Sequence, residues 1–230
     1  MAKTALIIGA SRGLGLGLAA EFAKRGWTVT ATARDLATAD GLTALAKAHA
    51  HVGTEVVDID DDASIHALAG RLKGKVYDLV FINPGVAGPR GPVWSASQEE
   101  ARAVLYTNGV APIRIAHALL DTVRRDTGVL AFMTSVLGSV AANTSGGMNL
   151  YRASKAALNT LTRSFVVEET KDRGLTVLSL HPGWVQTDMG GANAALDVAT
   201  SVRGLADVVE KHAGSHRHEY LDYTGATIAW

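Results

Sequence analysis

Ala5-Leu6-Ile7-Ile8-Gly9-Ala10-Ser11-Arg12-Gly13-Leu14-Gly15 reads as a short buried strand running straight into a glycine-rich helix entry. Four consecutive apolar residues predict the strand, and the apolar spacing of Leu16, Leu18, Ala19 and Phe22 predicts the helix. Gly9 lets the strand turn sharply, Gly13 leaves room for a phosphate against the backbone, and Gly15 lets the helix approach the sheet. The first N–H groups of that helix and its partial positive charge favour an anion. A ligand-free helix entry is the plainer alternative, but the strand-turn-helix setting favours phosphate binding. Gly15-Leu16-Gly17-Leu18-Ala19-Ala20 repeats the dinucleotide-binding spacing in a second register. The strand has ended by then, so Gly17 is assigned to the helix interior, where it costs about 1 kcal/mol relative to alanine and serves close packing.

Outward from this segment, apolar runs near 4–8, 28–33, 54–58, 77–82, 128–134 and 175–181 alternate with helical patterns, including helices near 101–125 and 151–170. Such alternation predicts an α/β fold, a single-domain doubly wound parallel sheet of Rossmann type with helices on both faces. Ligands bind such sheets at the carboxyl ends of the strands. Gly9, Ala33, Asp58, Asn83, Ser135 and His181 fall near those ends. The irregular stretches 83–93, 138–150 and 183–197 are the places for function.

Length and composition agree with one domain over residues 1–230. With 47% hydrophobic residues the chain can bury one substantial core. Twenty-two basic and twenty-two acidic side chains balance, which gives no electrostatic footprint for nucleic acid or an anionic membrane. The expected partners are small molecules. Without cysteine the chain has no disulfide, thiolate metal site or cysteine nucleophile, and a reducing, cytoplasmic setting is expected. No apolar run reaches membrane-spanning length.

Tyr151-Arg152-Ala153-Ser154-Lys155 places a phenol and an ammonium one helical turn apart. A cation within ~4–6 Å lowers a tyrosine pKa by about 1–3 units, which moves the phenol toward a working acid or base. Tyr-x-x-x-Lys also arises by chance on surface helices, so its weight comes from the surrounding pattern.

That pattern resembles the classical short-chain dehydrogenase/reductase family. The resemblance rests on GASRGLG at 9–15, Asn83-Pro84-Gly85, Asn108, Ser135, YRASK at 151–155 and the segment from His181 to Met189, in family order across essentially the whole chain. Within the family, the Ser135–Tyr151 segment, the TDMGG stretch and the ending LDYTGATIAW resemble sniffer-type carbonyl reductases and C-factor signalling proteins. The resemblance implies an oxidoreductase moving hydride between a nicotinamide and a carbonyl or secondary alcohol. Tyr151 would be the acid or base, Lys155 would lower its pKa and hold the nicotinamide ribose, Ser135 would polarise the substrate oxygen, and Asn108 would hold a water in the proton relay. Gly9, Ser11, Arg12, Gly13, Leu14, Gly15, Arg34, Asp58, Ile59, Asn83, Gly85, Pro182, Gly183, Val185 and Thr187 would line the dinucleotide, with Tyr151 and Lys155. Asp58 would face the adenine amine and Thr187 the carboxamide. Relatives pair through helices matching 101–125 and 151–170, which implies a homodimer or homotetramer. A dinucleotide-binding signalling protein with little turnover is the alternative.

Three positions depart from the family pattern. Ile8 stands where a threonine is usual. Pro84 replaces an alanine, which removes an N–H beside Asn83. The Ser135–Tyr151 separation exceeds the commonest family value by three residues, which makes Ser139 a rival serine. Ser139 lies past the strand end, where a turn hydroxyl satisfying nearby backbone is expected.

The second strand ends at Ala33, without the carboxylate that binds the ribose of NAD. Arg34 and Arg12 can converge on a 2′-phosphate, so NADP(H) is expected over NAD(H). Asp35 is read as capping or starting the next helix, and Asp60, Asp61 and Asp62 as a helix start rather than a calcium loop. Trp184, Met189 and Val86 are candidate walls of an apolar pocket, and the stretch 190–197 is short for a lid, which predicts an open site. His212, His216 and His218 are read as solvated residues of a polar connector, and no metal site is expected.

Overall fold

In the computed structural model, which describes residues 2–230, seven parallel strands form one sheet in the order β3-β2-β1-β4-β5-β6-β7. They are β1 (Thr4–Ile8), β2 (Thr28–Ala33), β3 (Val52–Val56), β4 (Leu79–Ile82), β5 (Val129–Met133), β6 (Thr176–His181) and β7 (His218–Asp222). Successive residues of β1 feed opposite cores, Ala5 and Ile7 one side, Leu6 and Ile8 the other. Burial on both faces explains why the central strands read as unbroken apolar runs.

Helices α1 (Gly13–Lys24), α2 (Asp40–Ala48) and α7 (Val198–His212) cover one face through Leu18, Phe22, Leu42 and Leu205. The other face carries α3 (Asp62–Arg71), α5 (Ala111–Leu119) and α6 (Asn149–Glu169) through Leu68, Ile115, Leu158 and Phe165. Gly17 lies inside α1, where an added Cβ would sit 2.6 Å from a Val198 methyl. The close α1–α7 packing expected of Gly17 is what the structure contains.

Three expectations need correction. The third strand occupies 52–56 rather than 54–58, because Val57 and Asp58 leave the ladder to reach the sheet edge. The long helix expected over 101–125 is α4 (Gln98–Leu105), a π-turn over Tyr106–Val110, then α5. Asn108 sits in the wide turn, and π-turns of this kind often mark functional sites. Finally, the supposed polar connector ends in β7, an edge strand whose sequence HEYLD carries three polar residues. His218 therefore pairs with β6, and burial pushes its imidazole down to about 4 rather than leaving it solvated. No helix among the described residues is long and apolar enough to cross a membrane, and no group of three metal-ligating side chains occurs among them.

Candidate active site

Every connection leaving a carboxyl strand end arrives at one edge, and the glycine turn after β1 is its floor. Gly9 has φ +80°, and a Cβ there would lie 2.6 Å from the Pro84 ring. Pro84 thus rests on the turn, while Asn83 donates from Nδ2 to the Gly9 carbonyl at 2.8 Å. An added Cβ at Gly15 would fall 2.0 Å from that same carbonyl oxygen, so α1 approaches closely because residue 15 has no side chain. Thr32 accepts from the Gly9 N–H at 3.0 Å and fixes the turn from β2, a contact that nothing in the glycine spacing announced.

The first turn of α1 has no acidic side chain and no side-chain cap. By contrast Asp61, Ser97 and Asp197 cap α3, α4 and α7. At Gly13 an added Cβ would be 3.6 Å from Thr187, so the glycine turn faces the loop after β6. Uncapped N–H groups in a backbone-lined cleft fit a phosphate.

Around this floor the remaining positions fall as follows. Arg12 is exposed and pairs with Asp188 at 2.6 Å. Ala33 ends β2 and exposed Arg34 follows it. Asp35 accepts from the Ala37 N–H at 2.8 Å and forms a local turn, while α2 begins only at Asp40. It neither caps nor starts that helix, which corrects the expectation. Asp58 accepts from Asp60 N–H at 3.0 Å, and the Ile59 side chain belongs to the core. Asp61 caps α3, as its neighbourhood predicted.

Beyond β6, Pro182 is held by the Ser201 hydroxyl at 2.7 Å, and Gly183 has φ +82° with no room for a Cβ beside Leu196. Val185 is buried and Thr187 accepts from Gly190 N–H at 3.1 Å. Trp184 is 58% exposed, with its Nε1–H donating to Gly190 at 2.9 Å, and Val86 and Met189 are also exposed.

The acid–base group is assembled by α6 and by the turn after β5. Tyr151 and Ser135 are 8% and 7% exposed, and the Ser135 hydroxyl acts on the phenol by lowering its pKa. Lys155 is 2% exposed, donates to the Met133 carbonyl at 2.9 Å, and sits 5.9 Å from the Tyr151 ring centre. Gly85 approaches both Lys155 and Asn108, since an added Cβ would lie 3.3 Å from Nζ and 3.2 Å from Oδ1.

The electrostatics differ from the i,i+4 expectation. Burial pushes the Tyr151 phenol up, and the Ser135 hydroxyl opposes the rise without cancelling it. Burial also pushes the Lys155 ammonium down to about 8. A cation that is itself costly to keep charged cannot lower its neighbour much, so desolvation wins in the ligand-free protein. The phenol keeps its proton at neutral pH.

The Asn108 side chain makes three hydrogen bonds. Its Oδ1 accepts from Val86 N–H at 2.7 Å, and its Nδ2 donates to Val86 O at 2.8 Å and to Ser154 at 3.0 Å. It ties the 85–86 loop to α6 through both amide hydrogens and one lone pair of Oδ1. Ser154, inside YRASK, completes that tie by donating to the Tyr151 carbonyl at 2.8 Å. Its position one turn-face from Tyr151 was the available signal. Ser139 donates to Ala229 O at 2.6 Å and accepts from Ala142 N–H, the turn role predicted for it.

Comparison with known proteins agrees with this geometry. The short chain dehydrogenase family profile matches residues 3–196. A short-chain dehydrogenase/reductase from Burkholderia multivorans, solved with bound NADP, is 41% identical, and the two chains cover each other completely at a TM-score of 0.96. A carbonyl reductase from Pseudomonas aeruginosa PAO1 in complex with NADP is 39% identical at a TM-score of 0.92, again over all of both chains. The C-signal protein of Myxococcus xanthus is 39% identical over 156 residues, 66% of this chain and 92% of that one.

Proposed function

The chain belongs to the short-chain dehydrogenase family, and we propose that it is an NADPH-dependent carbonyl reductase in which Tyr151 donates the proton. The observation that carries this reading is the joint burial of Ser135, Tyr151 and Lys155 beside an uncapped glycine turn. The related structures hold NADP, and its reduced form, NADPH, supplies a hydride when bound.

The residues divide into binding and proton handling. The N–H groups opening α1, from Gly13 and Leu14 onward, hold phosphate with Ser11 and the backbone of Gly9 and Gly15. Arg12 and Arg34 take the 2′-phosphate. The Arg12–Asp188 pair is exposed, worth about 0–1 kcal/mol, so a phosphate dianion releases the guanidinium readily. Asp58 and Ile59 border the adenine, while Asn83, Gly85, Pro182, Gly183, Val185 and Thr187 frame the nicotinamide half. Lys155 gives one of its three donors to Met133 and keeps the others for ribose hydroxyls.

Ser135 donates to the substrate oxygen as negative charge develops there, and Tyr151 delivers its proton to the same atom. A phenol held protonated by burial is suited to that direction. Asn108 keeps the 85–86 loop and α6 in register for both residues. The exposed Trp184, Met189 and Val86 support an open site accepting varied carbonyls, and exposed Leu105, Val110 and Leu161 on α4–α6 support self-association. A cytoplasmic location accords with the supply of NADPH.

Likeness to C-signal favours a second reading, a dinucleotide-binding regulator with little turnover. Assaying NADPH consumption over aldehydes, diketones and quinones separates the two. Turnover that vanishes in Tyr151→Phe supports the reductase, and tight NADPH binding without turnover on any carbonyl supports the regulator.

A further inference from the structure

The Ser135 hydroxyl accepts from the Leu137 N–H at 3.2 Å, which leaves its own O–H free to donate. It caps a single 3₁₀ turn, Val136–Gly138, a structure with little stability of its own. Two long-range grips hold that turn. On α6, Asn159 accepts from Thr134 at 2.8 Å and donates to Gly138 O. From β7, the Tyr220 hydroxyl donates to the Ser135 carbonyl itself.

Tyr220 is 1% exposed, and residues 226–230 fold back over it. Ile228 N–H donates to Tyr220 O at 2.8 Å, and Trp230 packs its ring 5.0 Å from the Tyr220 ring. The same segment reaches the far side of the turn, where Ala229 accepts from the Ser139 hydroxyl and Trp230 O from Ala141 N–H at 3.2 Å. Phenol, indole and backbone thus form one strap joining the edge strand to the turn that carries Ser135.

We infer that Tyr220 is a positioning residue for Ser135, held by the 226–230 strap, and that it sets the aim of the Ser135 hydroxyl at Tyr151 and at the substrate oxygen. This rests on the reading of Ser135 and Tyr151 given above. A buried polar group that loses its partner relaxes toward another, and among the long-range contacts of this turn the Tyr220 bond is the one made to Ser135 itself.

The test replaces Tyr220 by phenylalanine, which keeps the ring against Trp230 and removes the oxygen. Tyr77→Phe is the control: it removes another buried tyrosine hydroxyl, bonded to Thr30 at 3.1 Å at the far end of the sheet. Loss of one hydrogen bond at the site predicts kcat down by ~3–10-fold with KM for NADPH unchanged. A second readout needs neither cofactor nor turnover: titration of the Tyr151 phenol in ligand-free protein by NMR of ζ-carbon-labelled tyrosine. The titratable neighbours are Lys155 on the same helix and Tyr220 on β7, the latter pushed up to about 12 by burial and followed as its own resonance. Weakening the Ser135 contact moves the Tyr151 titration upward in Tyr220→Phe and leaves it in place in Tyr77→Phe. If the two variants match wild type in both readouts, Tyr220 is not a positioning residue. If wild type turns over nothing, the reductase reading fails alone and the phenol titration still decides the positioning. Should Tyr220→Phe not fold, Trp230→Leu loosens the same strap from its exposed side, and an unmoved Tyr151 titration there overturns the inference.

Discussion

The Lys155 ammonium lies 5.9 Å from the centre of the Tyr151 ring and gives its hydrogen bond to the Met133 carbonyl at 2.9 Å. The two residues share a helix face, yet the lysine is bonded to the strand end. Its charge is held in a buried place, at a cost to stability.

That cost predicts opposite effects of Lys155→Met on stability and activity. The folded ammonium is pushed from 10.5 to about 8, so between those values the unfolded chain binds a proton that the folded one does not. Stability therefore rises with pH across that window, and below about 8 the full penalty is present, on the order of 3 kcal/mol. Urea unfolding of the ligand-free variant at pH 7 is expected to show a gain of stability, and NADPH turnover a loss of at least ~100-fold.

Acid has its own signature. His181 and His218 are half-buried, each with a buried, unpartnered Nδ1, and both are pushed from 6.5 to about 4. The unfolded chain protonates first as pH falls, so stability is lost from about 6.5 down to 4 and the loss is complete below that. Midpoints of urea unfolding at half-unit pH steps are expected to fall over this interval, with a shallower fall in His218→Asn.

Much of this was readable in the sequence, and the exceptions have physical causes. The glycine turn, six of the strands and YRASK were legible because each is a local pattern: a buried strand must be apolar, and a tight turn must be glycine. β7 was not, because the edge strand HEYLD has only two adjacent buried residues, Tyr220 and Leu221, between polar ones, which is neither an apolar run nor an alternation. Asn108 was found, but its engagement with Val86 and Ser154 depends on a π-turn that helical periodicity cannot reveal. The direction of the Tyr151 shift was missed because spacing shows a neighbouring charge and says nothing of burial. Thr32 and Tyr220 act across 23 and 85 residues of chain, where no motif reaches.

Cofactor preference follows from Arg12 and Arg34. Arg12→Ala is expected to raise KM for NADPH by about tenfold, the worth of one charge-assisted contact, and to leave KM for NADH within a factor of ~2. Equal losses for both dinucleotides would remove the 2′-phosphate from the account.

Gly15→Ala tests the floor of the cleft. The added methyl meets the Gly9 carbonyl at 2.0 Å, a backbone atom that cannot step aside. Overpacking of this kind costs about 1–3 kcal/mol, seen as a lower Tm, and calorimetric titration is expected to show weakened NADPH binding because the turn must open.

The most direct test of the central claim is NADPH consumption by wild type and Tyr151→Phe over a carbonyl panel, after calorimetry has shown equal NADPH affinity. The predicted result is measurable turnover in wild type and a loss of ~100-fold or more in the variant, the share of a positioned acid. Turnover that survives removal of the Tyr151 hydroxyl would contradict the account.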